Sequence, residues 1–289
     1  MKKAFILGAG QGTRLRPLTE SLPKPLVPVF NRPMVEFALD ACIAAGIEKF
    51  AINTHHCPDA WATHFPDASY RGCSIDFFYE PVLLETGGGL KNIAEWIGDD
   101  PILVHNGDIL SGMDLQALAE SHRQNDHLAT LAMRSQGPAT VAEFDPKTGK
   151  VLDLRNALGR GPGTHQFTGI YLLEPALLDY IPEGEIVSAR DAMVQAASKF
   201  ELGGICLDEG HWVDLGTIDT YLEEHLTNTA TRTERQAASA QIHPKANLDD
   251  DCWVGANAQI GAECELSRCI IWPGASVPAG TKATEQIFH

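Results

Sequence analysis

Long apolar runs are missing from this 289-residue sequence. The unbroken ones, such as Ala4 to Leu7, are only a few residues long, and none approaches the roughly 20 residues of a membrane span. Positive charge is scarce: 22 Lys and Arg face 38 Asp and Glu, for a net charge of −16. That balance argues against nucleic acid or an anionic membrane surface as a partner. A C-x-x-C pair is absent, and the seven cysteines at 42, 57, 73, 206, 252, 264 and 269 are odd in number. Neither a disulfide framework nor a zinc knuckle fits that spacing, so small buried thiols of a reducing compartment are expected. Met1-Lys2-Lys3 imitates the start of a signal peptide, but the apolar stretch behind it soon meets Gln11, Arg14 and Arg16. It is too short for export, and a cytoplasmic location is expected. With 44% hydrophobic and 21% charged residues, disordered and collagen-like chains are excluded. The length suits one large domain or two smaller ones.

What basic charge there is concentrates at the start. Residues 1–32 hold Lys2, Lys3, Arg14, Arg16, Lys24 and Arg32 against Glu20 alone. One basic segment in an acidic chain suggests a small anionic ligand handled there. Strand and helix patterns then alternate. Lys3–Gly8 reads as a buried strand, Pro33–Ala45 as a helix closed by Gly46, and Lys49–Thr54 as a strand. Asp59–Phe65 reads as a helix, Ser74–Tyr79 as a strand, Leu90–Ile97 as a helix and Pro101–His105 as a strand. A helix from Leu115 to Arg123 follows. Such alternation implies βαβ units and a mostly parallel, Rossmann-like sheet. Ligands of such sheets sit beyond the carboxyl ends of the strands, which singles out the loops after Leu7, Tyr79 and His105. From Leu128 an antiparallel insertion is expected, with strands at Leu128–Met133, Thr140–Phe144, Val151–Arg155 and Gln166–Leu173. Helices near Pro175–Tyr180 and Ser188–Lys199, strands near Gly203–Leu207 and Trp212–Leu215, and a helix from Ile218 complete this part.

The tail is a repeat. Ile242, Leu248, Val254, Ile260 and Leu266 recur at a period of six, with Ala246, Cys252, Ala258 and Cys264 two positions before the last four. After a one-residue slip the pairing resumes as Cys269/Ile271 and Ala275/Val277. An aliphatic residue inward and a small one at a tight corner is the hexapeptide signature of a β-helix. It resembles the left-handed β-helix family, here a short prism of a little over two coils. The expected division is a catalytic segment 1–228, a connector 229–240 and a β-helix 241–289. Open prism ends leave homo-oligomerisation through the tail as an expectation.

The chemistry-bearing motif is Gly8-Ala-Gly-Gln-Gly-Thr-Arg14-Leu-Arg16-Pro17-Leu-Thr19, followed by Pro23-Lys24-Pro25. Glycines directly after a buried strand let backbone N–H groups turn toward an anion. A dinucleotide fingerprint fails because position 13 is Thr and the next strand ends in Asn53 and Thr54 rather than an acid. A P-loop is absent. What remains closely resembles the sugar-1-phosphate nucleotidyltransferases, over residues 1 to about 228.

The resemblance implies NTP and sugar 1-phosphate as substrates, NDP-sugar and pyrophosphate as products, and Mg²⁺ as cofactor. It implies nucleotide contacts at Leu7, Gly8, Ala9, Gly10, Gly12, Thr13, Arg14 and Lys24, with Arg14 stabilising departing pyrophosphate and Lys24 contacting phosphate. Leu84-Glu85-Thr86-Gly87-Gly88-Gly89 stands where the family reads the base, which adds Glu85, Gly87 and Gly88. Asn106-Gly107-Asp108 and His211-Trp212-Val213-Asp214 match family positions, with Asn106 at the nucleotide, Gly107 at the sugar, and Asp108 and Asp214 as the metal ligands. Arg14, Lys24 and Asp108 are the catalytic residues so implied. Two carboxylates suit Mg²⁺, a hard cation that also takes phosphate oxygens. Thr168 and Gly169 match the strand lining the sugar pocket. The Glu-Lys-Pro lysine of many members is replaced by Leu154-Arg155-Asn156-Ala157, with Arg155 as the substitute. Lacking that lysine and carrying Leu-Glu-Thr-Gly-Gly-Gly, the chain looks like N-acetylmuramate-1-phosphate uridylyltransferases with a tail added. Mannose-1-phosphate guanylyltransferases are the alternative, since they more often carry such tails. A non-catalytic sugar-nucleotide-binding paralogue and a hexapeptide acyltransferase are less consistent with these residues.

Overall fold

The computed structural model describes residues 1–229 and 232–289; residues 230–231 of the expected connector lie outside them. The chain packs into two units. The first comprises Met1–Gln11, Pro23–Pro25 and Val35–Asp214; the second comprises Gly12–Leu22, Leu26–Met34 and Leu215–His289.

In the first unit, the strand Lys3–Leu7 buries Ala4, Phe5 and Ile6 completely, as a strand covered on both faces requires. It pairs in parallel with Lys49–Thr54 on one side and Ile102–Asn106 on the other, and Cys73–Tyr79 extends the parallel set beyond Lys49–Thr54. The chain fills one side first and then returns past the first strand to fill the other. That reversal opens a crevice beyond the carboxyl ends of Lys3–Leu7 and Ile102–Asn106.

The other half of the ten-stranded sheet is built differently. His165–Leu173 runs antiparallel to Ile102–Asn106 and to Ala129–Arg134. Leu202–Cys206 lies parallel to Ala129–Arg134, while Lys150–Leu154 and Thr140–Asp145 pair antiparallel at the far edge. The sheet is thus parallel through its first half, and the antiparallel insertion expected from Leu128 is present in the second. The reason is local: Thr140–Asp145 returns into Lys150–Leu154 through a turn closed by Gly149 N–H on Asp145 O at 2.9 Å. A turn that short permits only antiparallel pairing.

The helix expected from Leu90 instead begins at Glu85 and runs to Asn92, with Ala94–Ile97 following as a separate turn. Leu115–Arg123 forms as expected, because Asp114 accepts the orphan N–H groups of Gln116 and Ala117. All seven cysteines are free, and Cys42, Cys252, Cys264 and Cys269 are buried.

In the second unit, Thr217 caps the helix Ile218–Thr227 through a reciprocal bond with Thr220. The tail forms three parallel three-stranded sheets visited in rotation. Ile242 stacks on Ile260 and Val277, Leu248 on Leu266 and Ala283, and Val254 on Ile271 and Phe288. The second layer is one residue short of three hexads, which is the slip visible in the sequence. The inward aliphatics and the corner residues Cys252, Ala258, Cys264, Cys269 and Ala275 form one buried core. Trp253 and Trp272 are packed within this unit. Trp253 Nε1 donates to His225 O at 3.1 Å, and Trp272 Nε1 donates to Tyr221 Oη at 3.0 Å. Phe30 lies 5.0 Å from the Trp253 ring and donates its N–H to His225 Nε2 at 3.2 Å. The polar stretch read as part of the connector contains the helical turn Arg232–Arg235, and Arg235 pairs with Asp251 at 2.9 Å. Among the described residues, no helix is long and apolar enough to cross a membrane.

Candidate active site

A cavity of about 310 Å³ opens beyond the first strand, lined by Leu7, Ala9, Gly10, Asn53, Leu83, Glu85, Thr86, Asn106, Asp108 and Ser188. Six of these carry expectations from the sequence: Leu7, Ala9, Gly10, Glu85, Asn106 and Asp108. They converge because the strands that end at Leu7 and Asn106 are parallel neighbours, Leu7 pairing with Asn106 itself. Gly8 lies under this wall. A Cβ there would stand 2.8 Å from Asn53 O and 2.9 Å from the Trp61 ring, so only glycine fits.

Asp108 and Asp214 meet through a ladder. Ile109–Ser111 pairs antiparallel with Trp212–Asp214, and Asp214 sits opposite Ile109. The register thereby brings Asp214 next to Asp108. Between them stands Lys24, nearly buried, with its Nζ 2.5 Å from Asp108 Oδ2 and 3.7 Å from Asp214 Oδ1. An ammonium is thus held by two carboxylates. Two hard, anionic oxygen donors about one cation are the donor chemistry Mg²⁺ takes, with phosphate and water oxygens completing its shell. The residues present fit that ion. Among the described residues no cluster of three or more His, Cys, Asp or Glu forms a metal cage.

Gly107 closes against the first strand, its N–H donating to Leu7 O at 3.0 Å. Gly169, at φ 79°, faces the Asn106 side chain, which a Cβ would approach to 2.7 Å. Thr168 is buried and its hydroxyl donates to Ala132 O at 2.7 Å. Trp212 Nε1 donates to Thr168 O at 3.0 Å, which ties the Asp214 strand to the strand carrying Gly169. Arg155 is exposed, at φ 55°, past the end of Lys150–Leu154, and is not among the residues lining the cavity. Gly87 and Gly88 lie inside the helix that starts at Glu85. Both amides donate to Val187 O, at 2.8 and 3.0 Å. A Cβ would meet Val187 O or Glu185 O at 2.7 Å, so these glycines seat the helix against residues 185–189.

Gly12, Thr13 and Arg14 belong to the second unit. Gly12, at φ 60°, starts the short helical turn Thr13–Leu15. Thr19 donates its hydroxyl to Gly12 O at 2.8 Å, and buried Leu15 leaves Arg14 exposed.

Sequence reasoning missed four lining residues, Leu83, Thr86 and Ser188 among them, with Asn53 noticed only as a missing acid. It also missed Glu80. The available signal was position: Asn53 is the last residue but one of a parallel strand and Glu80 directly follows another. His105, wholly buried beside Asn106, has its imidazole pKa pushed by burial down to about 4.

Residues 3–231 match the family model described as Nucleotidyl transferase. The chain belongs to this family. The mannose-1-phosphate guanylyltransferase of Mycobacterium tuberculosis is 32% identical over 295 residues, covering 96% of this chain and 81% of that one. A UTP–glucose-1-phosphate uridylyltransferase of Synechocystis is 29% identical over 250 residues, covering 76% and 61%. Among solved structures, a UDP-glucose pyrophosphorylase complexed with UDP-glucose superposes with a TM-score of 0.66 at 20% identity, covering 78% of this chain and 97% of that one. A putative glucose-1-phosphate thymidylyltransferase from Bacillus anthracis gives 0.69 at 21%, covering 78% and 94%. The nucleotidyl transferase match spans both units, since residues 12–22, 26–34 and 215–231 fall within it.

Proposed function

We propose that this nucleotidyl transferase moves a nucleoside monophosphate from an NTP to a sugar 1-phosphate. The observation that carries the reading is the Asp108–Lys24–Asp214 cluster, with Asp108 in the wall of the cavity after the glycine-rich strand end. In the reaction, a sugar-phosphate oxygen bonds to the α-phosphorus while the bond from that phosphorus to the β-phosphate bridging oxygen breaks, and pyrophosphate leaves. No protein nucleophile is required, so positioning and charge stabilisation supply the catalysis. Asp108 and Asp214 would hold Mg²⁺, which when bound screens the charge of the two phosphates. Lys24 orients phosphate oxygens with its ammonium. Arg14 matches the leaving pyrophosphate with a planar fork of donors. Ala9 and Gly10 line the triphosphate side, and Glu85 with Leu83 and Thr86 lines the base side. Gly107, Gly169 and the Thr168 strand border the sugar side.

For the substrate pair, the reading is guanylyl transfer to mannose 1-phosphate. Its support is that the Mycobacterium guanylyltransferase aligns over 96% of this chain, tail included. A second reading, uridylyl transfer to a sugar resembling N-acetylmuramate 1-phosphate, is favoured by Leu84–Gly89 and by Arg155 in place of the usual lysine. A matrix of GTP, UTP, dTTP, ATP and CTP against mannose, glucose and N-acetylmuramate 1-phosphates, read by pyrophosphate release, tests both. GTP with mannose 1-phosphate is the expected best pair; UTP with N-acetylmuramate 1-phosphate as best transfers the conclusion to the second reading. Release with no pair sinks the function as a whole. We further read the three ladders as a short left-handed β-helix, residues 241–289, following a catalytic segment 1–228 and the connector 229–240. Homo-oligomerisation through that tail and a cytoplasmic location belong to the same reading.

A further inference from the structure

Glu80 is fully buried and touches no solvent. A carboxylate in that position must be satisfied by donors, and the donors it has are informative. Its Oε1 accepts from Asn53 Nδ2 at 2.8 Å, and its Oε2 accepts from the Leu84 N–H at 3.0 Å. Asn53 uses its other end, Oδ1, to accept the Gly8 N–H at 2.8 Å. One unbroken chain of hydrogen bonds therefore runs from Gly8 through Asn53 and Glu80 to Leu84. Gly8 precedes Ala9 and Gly10 in one wall of the cavity, and Leu84 stands between Leu83 and Glu85 in another. Gly89 leaves room for the brace, since a Cβ there would come within 3.0 Å of Glu80 Oε1 and 3.1 Å of Asn53 Nδ2. Glu80 also anchors its own strand end, donating its N–H to Thr54 O at 2.8 Å.

We propose that Glu80, acting through Asn53, is a positioning residue that sets the triphosphate wall and the base wall of the cavity at a fixed separation and so governs base selection. This rests on the nucleotidyl-transfer reading. The polarity of the chain is strict: Gly8 and Leu84 offer only N–H, so the pair between them must present an acceptor at each end. The native pair does this with the Asn53 amide donating to the Glu80 carboxylate. The exchanged pair, a carboxylate at position 53 and an amide at position 80, would do it equally. Its amide nitrogen would then donate to the carboxylate, and its amide oxygen would accept from Leu84. Each single change, Glu80→Gln or Asn53→Asp, instead sets donor against donor or carboxylate against carboxylate.

The test is this swap. Glu80→Gln is expected to raise the KM for NTP about tenfold, to cut the preference for the best NTP over the next about tenfold, and to leave the KM for sugar 1-phosphate unchanged. The double variant Asn53→Asp/Glu80→Gln is expected to restore the preference ratio. The ratio is the readout because a carboxylate moved to position 53 would penalise every triphosphate alike. Amide hydrogen exchange of the ligand-free protein is the second measurement, and it requires no turnover. Both single variants should speed exchange at Gly8 and Leu84 about tenfold, and the double should return it to the parent rate. A parent-like preference in folded Glu80→Gln overturns the proposal, as does a double variant with the single variant's ratio or exchange. If Glu80→Gln fails to fold, the double variant decides alone, and its own failure to fold equally overturns the brace. A chain that transfers no nucleotide would defeat the functional reading while the exchange rates still judged the brace.

Discussion

Lys24 carries the electrostatic logic of the site at the scale of single residues. It lies within 4 Å of both Asp108 and Asp214. Losing either acid leaves a nearly buried ammonium with one carboxylate instead of two. Asp108→Asn and Asp214→Asn are expected to fold, as judged by circular dichroism, and to lose most turnover, with a raised Mg²⁺ requirement. Near-parent rates at limiting Mg²⁺ would remove that residue from the ligand set. Arg14→Lys keeps the charge and loses the fork, so kcat should fall far more than NTP affinity; an unchanged kcat with a raised KM would confine Arg14 to ground-state binding. Protonation gives a third residue-scale expectation. His225 accepts from Phe30 at Nε2 and its Nδ1 lies 2.8 Å from Tyr221 O. Burial, helped by the charge of Arg235, pushes its pKa from 6.5 down to about 4. The unfolded chain therefore takes up this proton first as pH falls. Stability present above pH 6.5 is lost toward pH 4, at roughly 1.4 kcal/mol per pH unit for each such histidine, His105 being another. Urea unfolding at pH 6.5 and 5.0 should differ by about 2 kcal/mol per histidine, and His225→Leu should flatten its share of that slope. A slope identical to the parent's in that variant would refute the assignment.

The helix Glu85–Asn92 shows at the scale of elements what a sequence conveys and what it withholds. Three consecutive glycines read as a loop before a helix, because glycine is the poorest ordinary helix former. Here they lie inside the helix. The backbone of residues 185–189, a hundred positions away, occupies the space that side chains at Gly87 and Gly88 would fill, and Glu80 with Asn53 crowds Gly89. Gly87→Ala should accordingly cost about 1–3 kcal/mol of stability through overpacking, read as a lowered denaturant midpoint. A neutral outcome would mean that residues 185–189 yield without cost. Where pattern is local, the reading of elements agrees with the structure: Leu115–Arg123 carries its cap at Asp114, and the hexads of the tail announce their own inward positions. Where the decisive partner is distant, it does not. Nothing at Glu80 itself marks it as buried, since the side chain that pairs with it, Asn53, lies on another strand 27 positions earlier. The bond from the Thr168 hydroxyl to Ala132 O, 36 positions away, is likewise unmarked in the sequence.

At the scale of the whole molecule, the tail is stitched to Phe30, Tyr221 and His225 by two tryptophans. A chain ending near residue 230 would bare those three side chains. It should melt several degrees lower, by scanning calorimetry, while keeping measurable pyrophosphate release, because Asp108, Asp214, Lys24 and the cavity all lie in the other unit. A folded truncation with no transfer would give the tail a direct part in the chemistry. The pairing of Ile109–Ser111 with Trp212–Asp214 has a consequence for how such a chain can change over time. The two acids are more than a hundred positions apart, yet their meeting depends on three facing residue pairs and on nothing counted along the intervening chain. Exposed turns between them, such as the one at Asp145–Gly149, can therefore gain or lose residues with the acid pair undisturbed. A single residue gained within Ile109–Ser111 does the opposite and turns the facing side chains over. The spacing of the two carboxylates is kept like a reading frame, indifferent to length elsewhere and intolerant of one step at the place where it is read.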